Sequence, residues 1–153
     1  MGKYEELLNK YKYIDIEDKF CLPGNFKGFL DNEVILIDRN LTNAQKHEVL
    51  AEEIAHYKFS AGDILDQSDV LNRKFENYAR RHAKEMIITL EGITEAFKQG
   101  IHNLYELANF FEVSESFVLE SIEHYKMKYG LSTECKGYLI QFEPLTIYKN
   151  IND

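Results

Sequence analysis

The chain is short of cysteine and proline, with two of each. It is short of cations, and it lacks any apolar run long enough to cross a bilayer. Each shortage excludes something. Cys21 and Cys135 stand far apart and outside any C-x-x-C spacing, so they read as free thiols in a reducing compartment and not as a disulfide staple. Eighteen Lys and Arg against twenty-six Asp and Glu give a net charge of −8, which argues against a general affinity for nucleic acid or an anionic membrane. The opening MGKYEELLNKY is charged throughout, unlike a signal peptide, and Glu6 stands where myristoylation wants Ser or Thr. There is no internal repeat, low-complexity tract, P-loop or dinucleotide fingerprint. These absences leave a soluble, cytoplasmic protein as the expectation. What is present suits a folded globule: 44% hydrophobic and 13% aromatic residues over 153 positions, most simply one domain spanning 1–153.

The chain is organised around Leu41 to Phe59, LTNAQKHEVLAEEIAHYKF. Thr42 or Asn43 can cap it, and no Gly or Pro interrupts it before Gly62, so it reads as one helix. Val49, Leu50, Ile54 and Tyr57 recur at the spacing of a buried face. Beside them Glu48, Glu52 and His56 follow one another at four-residue steps, which stacks them along one helix edge about 40° apart in projection. Glu53 lies about one turn before His56, able to face the same space. The five residues Glu52-Glu53-Ile54-Ala55-His56 are the zinc-protease pattern H-E-x-x-H with its first letter changed. A carboxylate is also a zinc ligand, so the change alters the site without abolishing it. It tilts the preference towards harder metals. The bland reading of a Glu/His pair at this spacing is a solvated helix surface or a surface ion pair.

A third ligand has to come from elsewhere. Asn72 to Ile87 reads as a second helix, with Phe75, Tyr78, Ala79, Ala83 and Met86 or Ile87 on its buried side. Glu76 sits among these small and apolar neighbours and needs a partner, either a metal or a cation such as Arg80 at i+4. His47 falls on the opposite side of its helix from His56, and His82 projects well away from Glu76, so neither is expected to join them. Asp63, Asp66 and Asp69 are candidates to hydrogen-bond the free ring nitrogen of His56.

Upstream, Tyr4 to Tyr13 reads as a short amphipathic helix. Phe20 to Asp38 reads as two or three short antiparallel strands around the turn signals Pro23-Gly24-Asn25 and Asp31-Asn32. An exposed edge strand beside a metal can take an extended peptide by strand addition; the alternative is a sheet that only covers the core. Downstream, GITEAFKQGI, NLYELANFF and SESFVLESIEHYKMKYG give three short helices in a helix-turn-helix-like pattern, with Ser114 capping the last. Its would-be recognition helix carries Glu115, Glu120 and Glu123 and no Arg, so a packed unit or a protein-docking surface is expected instead of a DNA reader. GYLIQFEPLTIYKN suggests one final strand or an extended arm.

Together, Leu50-Ala51-Glu52-Glu53-Ile54-Ala55-His56, then Glu76-Asn77-Tyr78-Ala79 through Ala83, resemble the ImmA/IrrE family of metallopeptidases, found beside repressors in phages and mobile elements. Leu22-Pro23-Gly24, Gly28-Phe29 and Val34 to Asp38 resemble that family's hairpin before the metal helix, and Tyr105 to Ser114 resembles its downstream helical element. The resemblance runs from about Leu22 to about Gly130. It implies an α+β fold: a mostly helical zincin-like core with a small antiparallel sheet over about 1–88, a helix-turn-helix-like segment over about 89–130, and a C-terminal strand or arm over about 131–153. It implies Glu53 as catalytic base, with Glu52, His56 and Glu76 as ligands of Zn2+ or another divalent metal. The implied activity is endopeptidase cleavage of a repressor or other regulator protein. The family has His where Glu52 stands, and this departure favours the alternative: an inactive member, with or without metal, that binds such a regulator without cutting it. Two carboxylates and one His also leave zinc a weaker Lewis acid than a two-His site does.

Overall fold

A computed structural model describes residues 2–59 and 69–149. They form a mostly helical α+β fold that divides into two compact units, Met1–Ala83 and Lys84–Asp153.

The first unit begins with helix α1 (Lys3–Lys10), followed by strands β1 (Asp15–Glu17), β2 (Gly28–Asp31) and β3 (Val34–Ile37), helix α2 (Asn43–Phe59) and the start of helix α3 (Asp69–Ile87). The strands form one sheet in the order β1-β3-β2. β2 and β3 are the expected hairpin, closed by Asn32 and Glu33; Asn32 adopts φ 51, a left-handed conformation that Asn tolerates better than most side chains. The third strand lies upstream of the expected stretch, and it pairs parallel to β3 and not antiparallel. Its sequence, Asp-Ile-Glu, carries little strand propensity, so tertiary pairing makes this strand.

Helix α2 owes its start to a reciprocal cap. Gln45 N donates to Thr42 Oγ1 (3.1 Å), and Thr42 N donates to Gln45 Oε1 (2.9 Å), so Thr42 is the cap and Gln45 completes a capping box. Leu50, Ala51, Ile54 and Ala55 are fully buried, and with Ile35 and Ile37 of β3 they make the unit's core. Tyr57, expected on the same stripe, is only half-buried. Helix α1 packs on α2: Tyr4 and Tyr11 are buried, and Lys58 Nζ donates to Tyr11 Oη at 2.9 Å. Ala79 and Ala83 are buried as expected of α3, but Tyr78 is 54% exposed and lies against Phe59 with ring centroids 4.7 Å apart. One residue along a helix is a turn of about 100°, enough to carry Tyr78 off the face that Ala79 occupies.

The second unit contains helices α4 (Leu90–Lys98), α5 (Leu104–Phe111) and α6 (Glu115–Tyr129), then strands β4 (Ser132–Cys135), β5 (Tyr138–Phe142) and β6 (Leu145–Lys149). Thr89, Asn103 and Ser114 cap the three helices, each accepting from the backbone N–H three residues on. The tail is a three-stranded antiparallel meander, more than the single strand or arm expected from its sequence. Lys136 and Gly137, both at positive φ, make the two-residue turn that starts it. Ile140 and Phe142 point from β5 into a core shared with Ile93, Phe111, Val118 and Tyr125. The helix-turn-helix pattern is therefore a packed element of this core. Both cysteines are free thiols. Among the described residues, no helix is long and apolar enough to cross a membrane.

Candidate active site

Helix α2 carries Glu52, Glu53 and His56, α3 carries Glu76, and the four side chains line one cleft of about 620 Å³ in the first unit. The opposite wall is strand β2 with the loop before it, through Phe26, Gly28, Phe29 and Leu30. β2 is an edge strand: β3 pairs with one side of it and, among the described residues, no strand pairs with the other. It lies very close to α2, and Gly28 makes this possible. A Cβ there would come within 2.5 Å of Val49 Cγ1 and 2.9 Å of the Leu36 carbonyl oxygen.

His56 is held on three sides. Its Nδ1 lies 3.2 Å from Glu53 Oε2, its Nε2 lies 3.2 Å from Glu76 Oε2, and its face stacks on Phe75 at 5.8 Å. Glu53 is buried at 7% exposure, whereas half of the Glu76 side chain is exposed. Burial alone lowers the imidazole pKa. The hydrogen bond and charge of Glu53, with those of Glu76, outweigh it, and the net shift is upward from the ordinary value. Protonated, the ring donates to both carboxylates; neutral, it donates to one and offers the other nitrogen as a ligand atom.

The four residues singled out in the sequence share this cleft, but the pairing of Glu53 with His56 differs from the partners expected. Glu53 occupies the His56 nitrogen for which Asp63, Asp66 and Asp69 were candidates; Asp63, Asp66 and the Asp69 side chain lie outside the described residues, as does Gly62. The signal was there, because residues three apart on a helix are neighbours. Glu76 turns to His56, and the alternative ion pair with Arg80 does not form. His47 is buried away from the cleft lining, and His82 packs against Phe59 at 5.0 Å.

The donor set suits a divalent metal in part. Imidazole nitrogen and carboxylate oxygen are both zinc ligands, and two ligands at tetrahedral angles around zinc stand about 3.3 Å apart, close to the separation of His56 Nε2 and Glu76 Oε2. Among the described residues, however, no three His, Cys, Asp or Glu side chains stand in position to hold a metal ion. The structure brings His56 and Glu76 together and leaves Glu52 on the wall of the same cleft.

A helix bearing E-E-x-x-H, a carboxylate from a following helix and an edge strand across the cleft are the parts of a metallopeptidase-like domain. The family comparison agrees: the model of the IrrE N-terminal-like domain, of the M78 peptidase type, matches residues 10–123. The chain belongs to this ImmA/IrrE family. A search of curated proteins finds no match.

Proposed function

We propose that the protein is a zinc-dependent endopeptidase of the ImmA/IrrE type, acting in the cytoplasm on a repressor or other regulator protein of a phage or mobile element. The observation that carries this reading is His56 clasped between Glu53 and Glu76 in a cleft lined by the edge strand β2. Glu52, His56 and Glu76 would hold the metal, and bound there it would supply Lewis acidity towards a peptide carbonyl. Pairing with β2 would hold the substrate extended across the cleft, with main-chain hydrogen bonds fixing its register. Glu53 orients His56 through Nδ1, keeping Nε2 directed at Glu76. As general base, Glu53 would take a proton from the attacking water and return it to the leaving amine. Nothing in this scheme calls on nucleic acid or membrane.

One specific observation favours a second reading, in which the protein binds a regulator without cutting it. Glu stands at position 52 where the family pattern has His, and among the described residues no three side chains are grouped to hold a metal. A cleavage assay with zinc-loaded protein and regulators encoded nearby separates the two. The first reading expects cleavage that Glu53→Gln abolishes while metal is retained. Stable complex formation without cleavage establishes the second.

A further inference from the structure

Arg80 lines the same cleft, and the reaction proposed above makes no use of it. Among the described residues that line the cleft it is the one permanent cation; the other ionisable groups there are Glu52, Glu53, His56 and Glu76. Its position invites an ion pair that is not made. Glu76 stands four residues before it on α3, the favourable order for a helical Glu–Arg pair. Glu76 instead directs Oε2 to His56, and Arg80 is exposed with no ion pair among the described residues. A guanidinium with no ion pair among the described residues, on the wall of an otherwise acidic cleft, is a fixed fork of N–H donors matched to a carboxylate. A peptide along β2 would share the cleft with this group. It would share it also with Phe26, which is 60% exposed and packed edge-on against Phe29 at 5.9 Å, an apolar surface left open on the strand's side of the cleft.

We propose that Arg80 determines specificity in this cleft, binding a carboxylate of a peptide whose large apolar side chain rests on Phe26 and Phe29. The proposal rests on the reading of the cleft as a peptide site. It requires neither metal nor cleavage, so it is tested without either. Fluorescent peptides with a central Phe followed by Glu, Gln or Lys, all amidated at the C-terminus, are titrated against metal-free protein with anisotropy as the readout. A further peptide without Glu but with a free C-terminus distinguishes a side-chain carboxylate from a terminal one. The Glu peptide should bind about fivefold more tightly than the Gln peptide, the size expected of a charge-assisted hydrogen bond in a partly exposed site. R80Q should erase the preference, R80E should invert it towards Lys, and R80K should restore it in part, because charge returns without the fork. If only the free C-terminus shows the Arg80-dependent gain, the carboxylate recognised is terminal.

Equal binding of all peptides, a preference that survives R80Q, or no binding at all overturns the proposal. The enzymatic reading fails separately. An Arg80-dependent preference with no cleavage by the zinc-loaded protein upholds the role of Arg80 and retires the peptidase.

Discussion

Replacing Gly28 with alanine puts a methyl group where the structure has no room for one. The new Cβ would lie 2.5 Å from Val49 Cγ1 and 2.9 Å from the Leu36 carbonyl oxygen, against about 3.5–4.0 Å for comfortable carbon contact. Val49 is buried on α2 and Leu36 O belongs to the neighbouring strand, so neither gives way freely. The strain is met by moving β2 outward by roughly 1 Å, and overpacking of this kind costs about 1–3 kcal/mol. A partner mutation sharpens the expectation. Val49→Ala alone removes two buried methyl groups and costs about 2 kcal/mol. In the double variant the Val49 clash is gone but the Leu36 contact at 2.9 Å remains, so rescue is partial. The two losses should sum to about 1 kcal/mol less than additivity predicts. Chemical denaturation of the wild type, both single variants and the pair measures this directly. Strict additivity, or a Gly28→Ala variant as stable as the wild type, would show that β2 does not press on α2 as described.

The remaining predictions concern α2 and His56. Thr42→Ala removes the side-chain oxygen that caps α2 and should cost about 1 kcal/mol, read from the denaturation midpoint at unchanged slope; no loss would mean the capping box is incidental. In the metal-free protein His56 titrates above the ordinary imidazole value. Its stabilisation is therefore fully present below that value and is lost as pH rises through the raised one. NMR titration of His56 should show the raised value, and Glu76→Gln should bring it down; a value at or below that of an ordinary histidine contradicts the clasp. Zinc competes with the same proton, so zinc affinity should weaken as pH falls through the raised value, a trend isothermal titration at several pH values would reveal or refute.

The local signals proved the most legible. The start of α2, the Ser114 cap of α6 and the β2–β3 hairpin each depend on residues a few positions apart, and each formed as its sequence suggests. Pairings set by distant chain were not legible. Asp15–Glu17 becomes a strand only because β3 is there to receive it, and Ser132–Cys135 is too polar to announce itself without β5 beside it. At the site, the helical steps from Glu52 to His56 and the lone carboxylate of Glu76 were enough to gather four residues into one cleft. Glu53 reaches Nδ1 from three residues back on the same helix, but the pairing of Glu76 with Nε2 depends on how α2 and α3 approach each other, and no spacing encodes that. Arg80 shows the same limit: its sequence position offers it to Glu76, and His56 wins the carboxylate.

The proposed function stands or falls on whether Glu52, His56 and Glu76 can hold a metal. Elemental analysis of untagged protein after incubation with zinc and removal of excess, with Glu52→Ala, His56→Ala and Glu76→Ala alongside, tests it most directly. About one zinc per chain is expected in the wild type, lost from each variant, as a three-ligand site requires. A wild type that takes up no zinc, or a His56→Ala variant that retains it, would contradict the proposal.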